Sequence, residues 1–194
     1  IVSELMLANA NQPRSCITIL ADKDVVEMQD EMEAKVGDYG RTHLVFRNGN
    51  PTDLTDLVIV NPDSAKSIII LPPSEGNADA SVIKTLLALL HNPKRLNKNY
   101  HIVTYISDAK NWDVARMVGG EEAELLLASD LLARITAQTC RQSGLSVAYI
   151  ELLDYGGDEI YFKNEPILYG KSFGDAMFSY EDSTVIGLDS KRDG

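Results

Sequence analysis

Short apolar runs alternate with segments of helical periodicity from Cys16 to about Gly144. This alternation is typical of a parallel sheet whose strands are joined by crossover helices. The predicted strands are Cys16–Ala21, Thr42–Arg47, Ser67–Leu71, His101–Ile106 and a short one near Ala123–Leu126. The predicted helices are Val25–Val36, Asp53–Val58, Ala78–His91, Trp112–Val118 and Asp130–Ser143. The pattern therefore predicts an α/β fold with a doubly wound parallel sheet.

Several predicted helices have boundary residues of the expected kind. Thr52 or Asp53 can cap the helix that follows the Gly49-Asn50-Pro51 turn, and Ser129 can cap the helix from Asp130. The pair Gly119-Gly120 suits the end of another helix.

The pattern changes after Gly144 and predicts a small α+β lobe. A short connecting helix is predicted at Val147–Leu153. Strands at Glu159–Lys163 and Thr184–Leu188 would flank a turn and small helix near Gly170–Ala176. We therefore expect a Rossmann-like domain over residues 1–145, and over 146–194 a connecting helix and the beginning of a second lobe.

The segment Ile1–Ala10 has its apolar residues on one helical face. In a Rossmann-like domain such a helix follows a first strand and a glycine-rich phosphate-binding turn, but no G-x-G-x-x-G precedes it here. We therefore expect a piece of a longer protein, without its first strand and glycine turn.

Composition narrows the class of protein. The 194 residues are 44% hydrophobic and carry a formal net charge of −11, which disfavours binding to nucleic acid or to an anionic membrane surface. The two cysteines are Cys16, in a predicted buried strand, and Cys140, on a helix. So few cysteines favour a reducing compartment. No apolar run approaches the roughly 20 residues of a membrane span.

Polar residues follow the predicted strands at the carboxyl edge of the sheet, where ligands bind in such folds. Asp22 and Asp24 could hold a ribose diol or a cation, or one could cap the next helix while the other is solvated. Arg47 could meet a phosphate or pair with one of these aspartates. Gly49 and Asn50 tolerate positive φ, which would turn backbone N–H groups toward a ligand, although turn formation alone also explains them.

The same edge holds Pro72, Ser107 and Asp108, which follow later strands. They could contact the second half of a ligand, or simply form rigid loops. Asp22, Asp24 and Asp108 together could bind a cation such as Ca²⁺. The acidic run Glu121–Glu124 is interpreted mainly as a solvated face.

Catalytic groups are sparse. His43 and His101 stand at the starts of strands, opposite the expected site, and His91 stands at the end of a helix. Neither Tyr100 nor Tyr105 has a lysine four positions later, so neither forms the Tyr-x-x-x-Lys pair that some reductases use. We therefore predict no catalytic residue and no enzyme activity.

A series of motifs in fixed order carries a family resemblance. They are Ile19–Asp24, Arg47–Leu54, Asp63–Leu71, Ala128–Ser146, Tyr161–Pro166, Gly170–Phe173 and Ile186–Gly187. The series resembles the regulator-of-potassium-conductance (RCK) domain, and more specifically that of the Castor/Pollux branch of ion channels. The resemblance extends over nearly the whole chain.

This resemblance implies a cytosolic, ligand-sensing domain that assembles into a homo-oligomeric ring beneath a membrane pore carried by the same full-length protein. The fragment itself would be soluble, and its ligand a nucleotide such as NAD, or Ca²⁺. Subunit contacts would fall on the helix Asp130–Ser143, where Leu131, Leu132, Ile135 and Thr139 share a face; packing against the sheet is the alternative. An NAD-dependent oxidoreductase fragment and a soluble Trk-type transporter subunit stay open as alternatives.

Overall fold

The computed structural model describes residues 1–96, 98–156, 160 and 162–187. Five strands and eight α-helices are found among them. The strands are β1 Cys16–Ala21, β2 His43–Asn48, β3 Ile68–Ile70, β4 Ile102–Ile106 and β5 Ala123–Leu127. The helices are α1 Val2–Ala8, α2 Val25–Val36, α3 Leu54–Ile59, α4 Ala78–Leu90, α5 Trp112–Gly119, α6 Ala128–Arg141, α7 Leu145–Leu153 and α8 Phe173–Met177. The chain divides into two compact units, 1–158 and 159–194.

All strand pairs in the first unit are parallel, which confirms the predicted α/β class. The strands form two sheets, one of order β1-β2 and one of order β3-β4-β5. Cys16 lies opposite His43 in the first sheet, and Ile102 lies between Ile68 and Ala123 in the second. No hydrogen-bonded ladder joins β1 to β3.

The hydrophobic core gathers around the larger sheet. Leu86 on α4 and Ile102 and Ile106 on β4 are fully buried, and they pack with Ile70 of β3. Leu20 of β1 also packs against this cluster while only partly buried. Both sheets therefore share one core.

Local chemistry explains the boundaries of α2. The Asp24 carboxylate accepts hydrogen bonds from the N–H groups of Val26 at 2.8 Å and Glu27 at 3.2 Å. At the other end Gly37 adopts φ +75°, a left-handed conformation that glycine tolerates best. These two signals place the start and the end of α2 at the residues that the sequence predicts.

Two expectations about the first unit are wrong. Helix α6 begins at Ala128, directly after β5, so Ser129 lies inside the helix and is not its cap. Cys16 is exposed, because the first residue of β1 stands at the rim of its sheet and not in the core.

In the second unit, α8 is held by a capping box. The Ser172 hydroxyl accepts from the Asp175 N–H at 3.2 Å, and the Asp175 carboxylate accepts from the Ser172 N–H at 3.3 Å. The predicted strand at Thr184–Leu188 is wrong for residues 184–187, which have no strand pairing; Leu188 lies outside the described residues. The other predicted strand, Glu159–Lys163, is not formed at its described positions, while Glu159 and Tyr161 also lie outside them.

The division between the units follows α7. The sequence predicts the boundary before this helix, at residue 145. Because α6 and α7 pack together, the connecting helix belongs to the first unit.

Candidate functional site

The carboxyl ends of β1 and β2 hold the first group of predicted ligand residues. Asp22 and Asp24 are both exposed. The carboxylate of Asp24 caps α2, so it acts as a helix cap, one of the two roles considered for it. The Asn48 side chain donates to the Lys23 carbonyl at 2.7 Å and holds the loop after β1 against the end of β2.

The turn after β2 is tightly hydrogen-bonded. The Asn50 N–H donates to the Asp56 carboxylate at 2.8 Å, and the Asn50 side chain accepts from the N–H and the hydroxyl of Thr52. Gly49 is buried, and a Cβ there would come within 3.0 Å of Asp56 and Leu20. Asp53, one of the two predicted caps, accepts from the Thr55 N–H at 2.7 Å.

Arg47 projects from this edge without an ionic partner among the described residues. It is exposed, and the one hydrogen bond that its guanidinium makes to the described residues goes to the Phe46 carbonyl, at 3.0 Å. The suggested pairing with Asp22 or Asp24 is therefore not formed.

A pocket of about 470 Å³ opens at the carboxyl ends of β3 and β4. Gly76, Asn77 and Asp79 line it from the start of α4, while Ser107, Asp108 and Asn111 line it from the loop after β4. It thus contains Ser107 and Asp108, two of the predicted ligand residues. Pro72, the third, is not part of its lining.

Asp79 organises this pocket, a role that no pattern in the sequence indicates. It is only 4% exposed. Its carboxylate accepts from the N–H groups of Ser107 at 2.9 Å and Asp108 at 3.0 Å, and from the Asn111 amide at 2.8 Å. The residue therefore ties the first turn of α4 to the loop after β4.

Two opposing effects set the acidity of Asp79. Burial alone would raise the pKa of its carboxyl, because a charge is poorly solvated there. The hydrogen bonds from Asn111, Ser107 and Asp108 outweigh burial and leave the pKa below its usual value. Asp79 is therefore ionised at neutral pH.

The carboxylates of Asp22, Asp24 and Asp108, which the sequence suggests for cation binding, do not form a common site. In the described part of the chain, no group of three or more His, Cys, Asp or Glu side chains is placed to hold a metal ion. Asp24 caps α2, and Asp108 accepts from the Lys110 N–H at 3.0 Å. These two carboxylates serve local turns.

A second polar cluster, partly buried, lies where β4 and β5 begin. The Tyr100 hydroxyl donates to Asp63 at 2.7 Å, and Arg95 stacks 4.2 Å from the centroid of the Tyr100 ring. Arg95 also pairs with Glu122, which accepts from the Tyr100 N–H as well. Glu122 is thus not part of a solvated face, contrary to the sequence interpretation.

The charges in this cluster shift two pKa values. Burial and the hydrogen bond to Asp63 raise the pKa of Tyr100 to about 12. Burial would raise the pKa of Glu122, but the bonds from the Tyr100 N–H and Arg95 lower it overall. Every charged group has a partner, so the cluster acts as a clamp between the loop before β4 and the start of β5.

Comparison with known proteins relates the chain to one family. A family model described as "Castor and Pollux, part of voltage-gated ion channel" matches residues 129–194. The probable ion channel CASTOR of Oryza sativa subsp. japonica is 31% identical over 191 residues, which cover 97% of this chain and 21% of that protein. This chain is a relative of the Castor and Pollux ion channels. The family resemblance drawn from the motifs is thereby confirmed.

Two further Castor/Pollux relatives match over the entire chain. The ion channel POLLUX of Lotus japonicus is 31% identical over 196 residues, which cover 21% of that protein. The probable ion channel SYM8 of Pisum sativum is 30% identical over 196 residues, which cover 22% of that protein. The chain thus spans about a fifth of the length of these relatives. They are named as ion channels and not as enzymes. Among the described residues, no helix has the length and apolarity needed to span a bilayer.

Proposed function

We propose that this chain is a regulatory, RCK-like module of a Castor/Pollux-type cation channel. A ligand bound at the carboxyl edge of the parallel strands would change the shape of a ring of such modules on the cytosolic side of a membrane pore. The observation that carries this proposal is the match, over nearly the whole chain, to proteins named as ion channels.

The pocket at the ends of β3 and β4 supports a sensing role. Asp79, which lines the pocket, joins the first turn of α4 to the loop after β4, so a ligand that contacts Ser107 would act on both elements. A ligand biases such a module only through its different affinity for two conformations. A tenfold difference per site corresponds to about 1.4 kcal/mol, and several subunits would add their contributions.

The first experiment tests whether filling this pocket changes the response of the full-length channel to a ligand. The full-length protein is reconstituted in liposomes, and cation flux is measured while NAD or Ca²⁺ is added separately up to millimolar concentration. We expect one of them to change the flux, and Ser107→Trp to weaken that response at least tenfold by filling the pocket. Ser3→Trp, at an exposed position on α1, should respond like the wild type. A flux that ignores both compounds would contradict the sensing role, and the absence of any flux would contradict the channel assignment.

Helix α6 supports the proposed assembly into a ring. Leu131 is 48% and Leu132 64% exposed, and no residue of the helix is buried. Ile135 and Thr139 share the same face and are half-buried. Within the part of the chain that the structure describes, the Thr139 hydroxyl has no hydrogen-bond partner, although its oxygen is inaccessible to solvent. A stripe of this kind suits contact with a second subunit better than packing against the sheet.

Leu132→Asp is therefore expected to separate the subunits without unfolding them. The charge would be buried in the subunit contact, which costs far more than leaving it in water. The mass measured by light scattering should fall toward that of one subunit, while the melting temperature of the monomer stays unchanged. Ala137→Asp serves as the control, because residue 137 is exposed on the opposite face of α6. If Leu132→Asp unfolds the protein and Ala137→Asp does not, the face of α6 that carries Leu132 belongs to the core.

A further inference from the structure

Residues Asn48 and Gly49, at the end of β2, form the only Asn-Gly pair in the sequence. In such a pair the backbone nitrogen of the glycine can attack the asparagine side chain, because glycine has no Cβ to hinder the approach. The Gly49 nitrogen loses its proton and forms a bond to the Asn48 Cγ, while the Cγ–Nδ2 bond breaks and ammonia leaves. Water then opens the resulting succinimide and leaves aspartate or isoaspartate at position 48.

The fold gives each residue of this pair a structural role. The Asn48 amide donates to the Lys23 carbonyl at 2.7 Å and joins the loop after β1 to the end of β2. An ionised carboxylate could not donate this bond. Gly49 is buried, and a Cβ there would come within 3.0 Å of Asp56 and Leu20. The chain therefore contains a reactive pair at a place where both side chains are needed.

Hydrogen bonds hold both reacting groups in the folded protein. The Gly49 N–H donates to the Ala21 carbonyl at 3.0 Å, which retains its proton and directs the nitrogen toward β1. The Asn48 amide is held by its bond to Lys23. The Asp56 carboxylate beside Gly49 also opposes negative charge on that nitrogen, because like charges disfavour each other. The end of β2 must therefore open before the reaction can occur.

We propose that Asn48 is a deamidation site whose reaction is controlled by local opening at the end of β2, and that the product detaches the loop after β1. The reaction replaces the donor to the Lys23 carbonyl with a negatively charged acceptor, so two acceptors then face each other. Asp22 lies in the detached loop and Arg47 precedes Asn48, so the modification alters the candidate ligand edge. The proposal rests on these contacts and not on the proposed channel function.

Mass spectrometry of the full-length protein tests the first part. The protein is incubated at mildly alkaline pH, either folded or unfolded in urea, and the peptide that contains Asn48 is followed for the mass gain of deamidation. We expect the reaction in urea, and a rate at least about tenfold lower in the folded protein, because only the open fraction reacts. Equal rates in the two states would overturn control by opening. No reaction in urea would overturn the site itself.

Asn50 is the internal control for this measurement. It lies in the same turn but precedes Pro51, which has no backbone N–H and cannot supply the attacking nitrogen. Asn50 should therefore stay unchanged in both states. A mass gain at Asn50 as large as that at Asn48 would contradict attack by the neighbouring nitrogen.

Hydrogen exchange in the full-length protein tests the second part. The Gly49 amide, bonded to Ala21, reports whether the end of β2 is closed, and its rate is expressed relative to that of the unfolded chain. Asn48→Asp, which mimics the product, should lower this protection at least about tenfold. Asn50→Asp adds the same charge two positions away but keeps an acceptor for Thr52, so it should leave the protection unchanged.

The pattern of protection decides the outcome. Unchanged protection of Gly49 in Asn48→Asp would overturn the proposed detachment of the loop. An equal loss in both variants would mean that charge, and not the bond to Lys23, is responsible, which also overturns it. The amide of the buried Leu86 should keep its protection in both variants. Its loss in Asn48→Asp would mean general unfolding and would contradict a local effect.

Discussion

Replacing Leu86 with alanine is expected to lower the free energy of unfolding by about 3 kcal/mol. Leu86 is completely buried on α4, among Ile70, Ile102 and Ile106. Truncation removes apolar contacts and leaves a cavity that the rigid strands around it can fill only in part. A loss of this size is a large part of the 5–15 kcal/mol that stabilises a typical domain.

Leu87→Ala is the matched control for this change. Leu87 is the next residue on the same helix and is 41% exposed, so the substitution should cost less than about 1 kcal/mol. Urea denaturation followed by circular dichroism measures both values. Equal effects at the two positions would show that the core is not centred on α4.

The second large effect is expected at Asp79. Asp79→Asn should lower the free energy of unfolding by about 2 kcal/mol at neutral pH, because an amide would turn a donor toward groups that are themselves donors. The Ser107 and Asp108 N–H groups and the Asn111 amide would lose their charged acceptor. Asp30→Asn, at an exposed position on α2, should change stability by less than about 0.5 kcal/mol.

The pH dependence of Asp79 gives a second measurement. The usual pKa of the carboxyl is 3.8, and the folded protein lowers it. The contribution of the ionised group is therefore complete above the unfolded value and is lost as the pH falls through the lower folded value. The stability difference between wild type and Asp79→Asn should be constant from pH 5 to 7, by this linkage argument, and should shrink below about pH 4. A difference that grows toward low pH would contradict this role of Asp79.

Features fixed by local chemistry could be predicted from the sequence. The bounds of α2 follow from a capping aspartate and a terminal glycine, and those of β1 from a continuous apolar run. The relation to the Castor/Pollux channels likewise rests on motifs that lie along the chain in order. Such signals do not depend on what the chain contacts elsewhere.

Features created by distant contacts could not be predicted. Asp79 resembles any acidic residue in the first turn of a helix, and only the fold brings Asn111 to it. Glu122 similarly depends on Arg95, which lies 27 positions away. The apolar alternation at 184–187 suggests a strand, but a strand also needs a partner for its backbone, which the described residues do not supply.

The bonding of Asp79 also determines which chemical groups the pocket can accept. Backbone N–H groups in a loop beside a helix start are normally available to an anion. Here the protein's own carboxylate already occupies the N–H groups of Ser107 and Asp108. A phosphate would have to displace a buried negative charge or lie next to it, so this part of the edge favours hydroxyl groups or cations over anions.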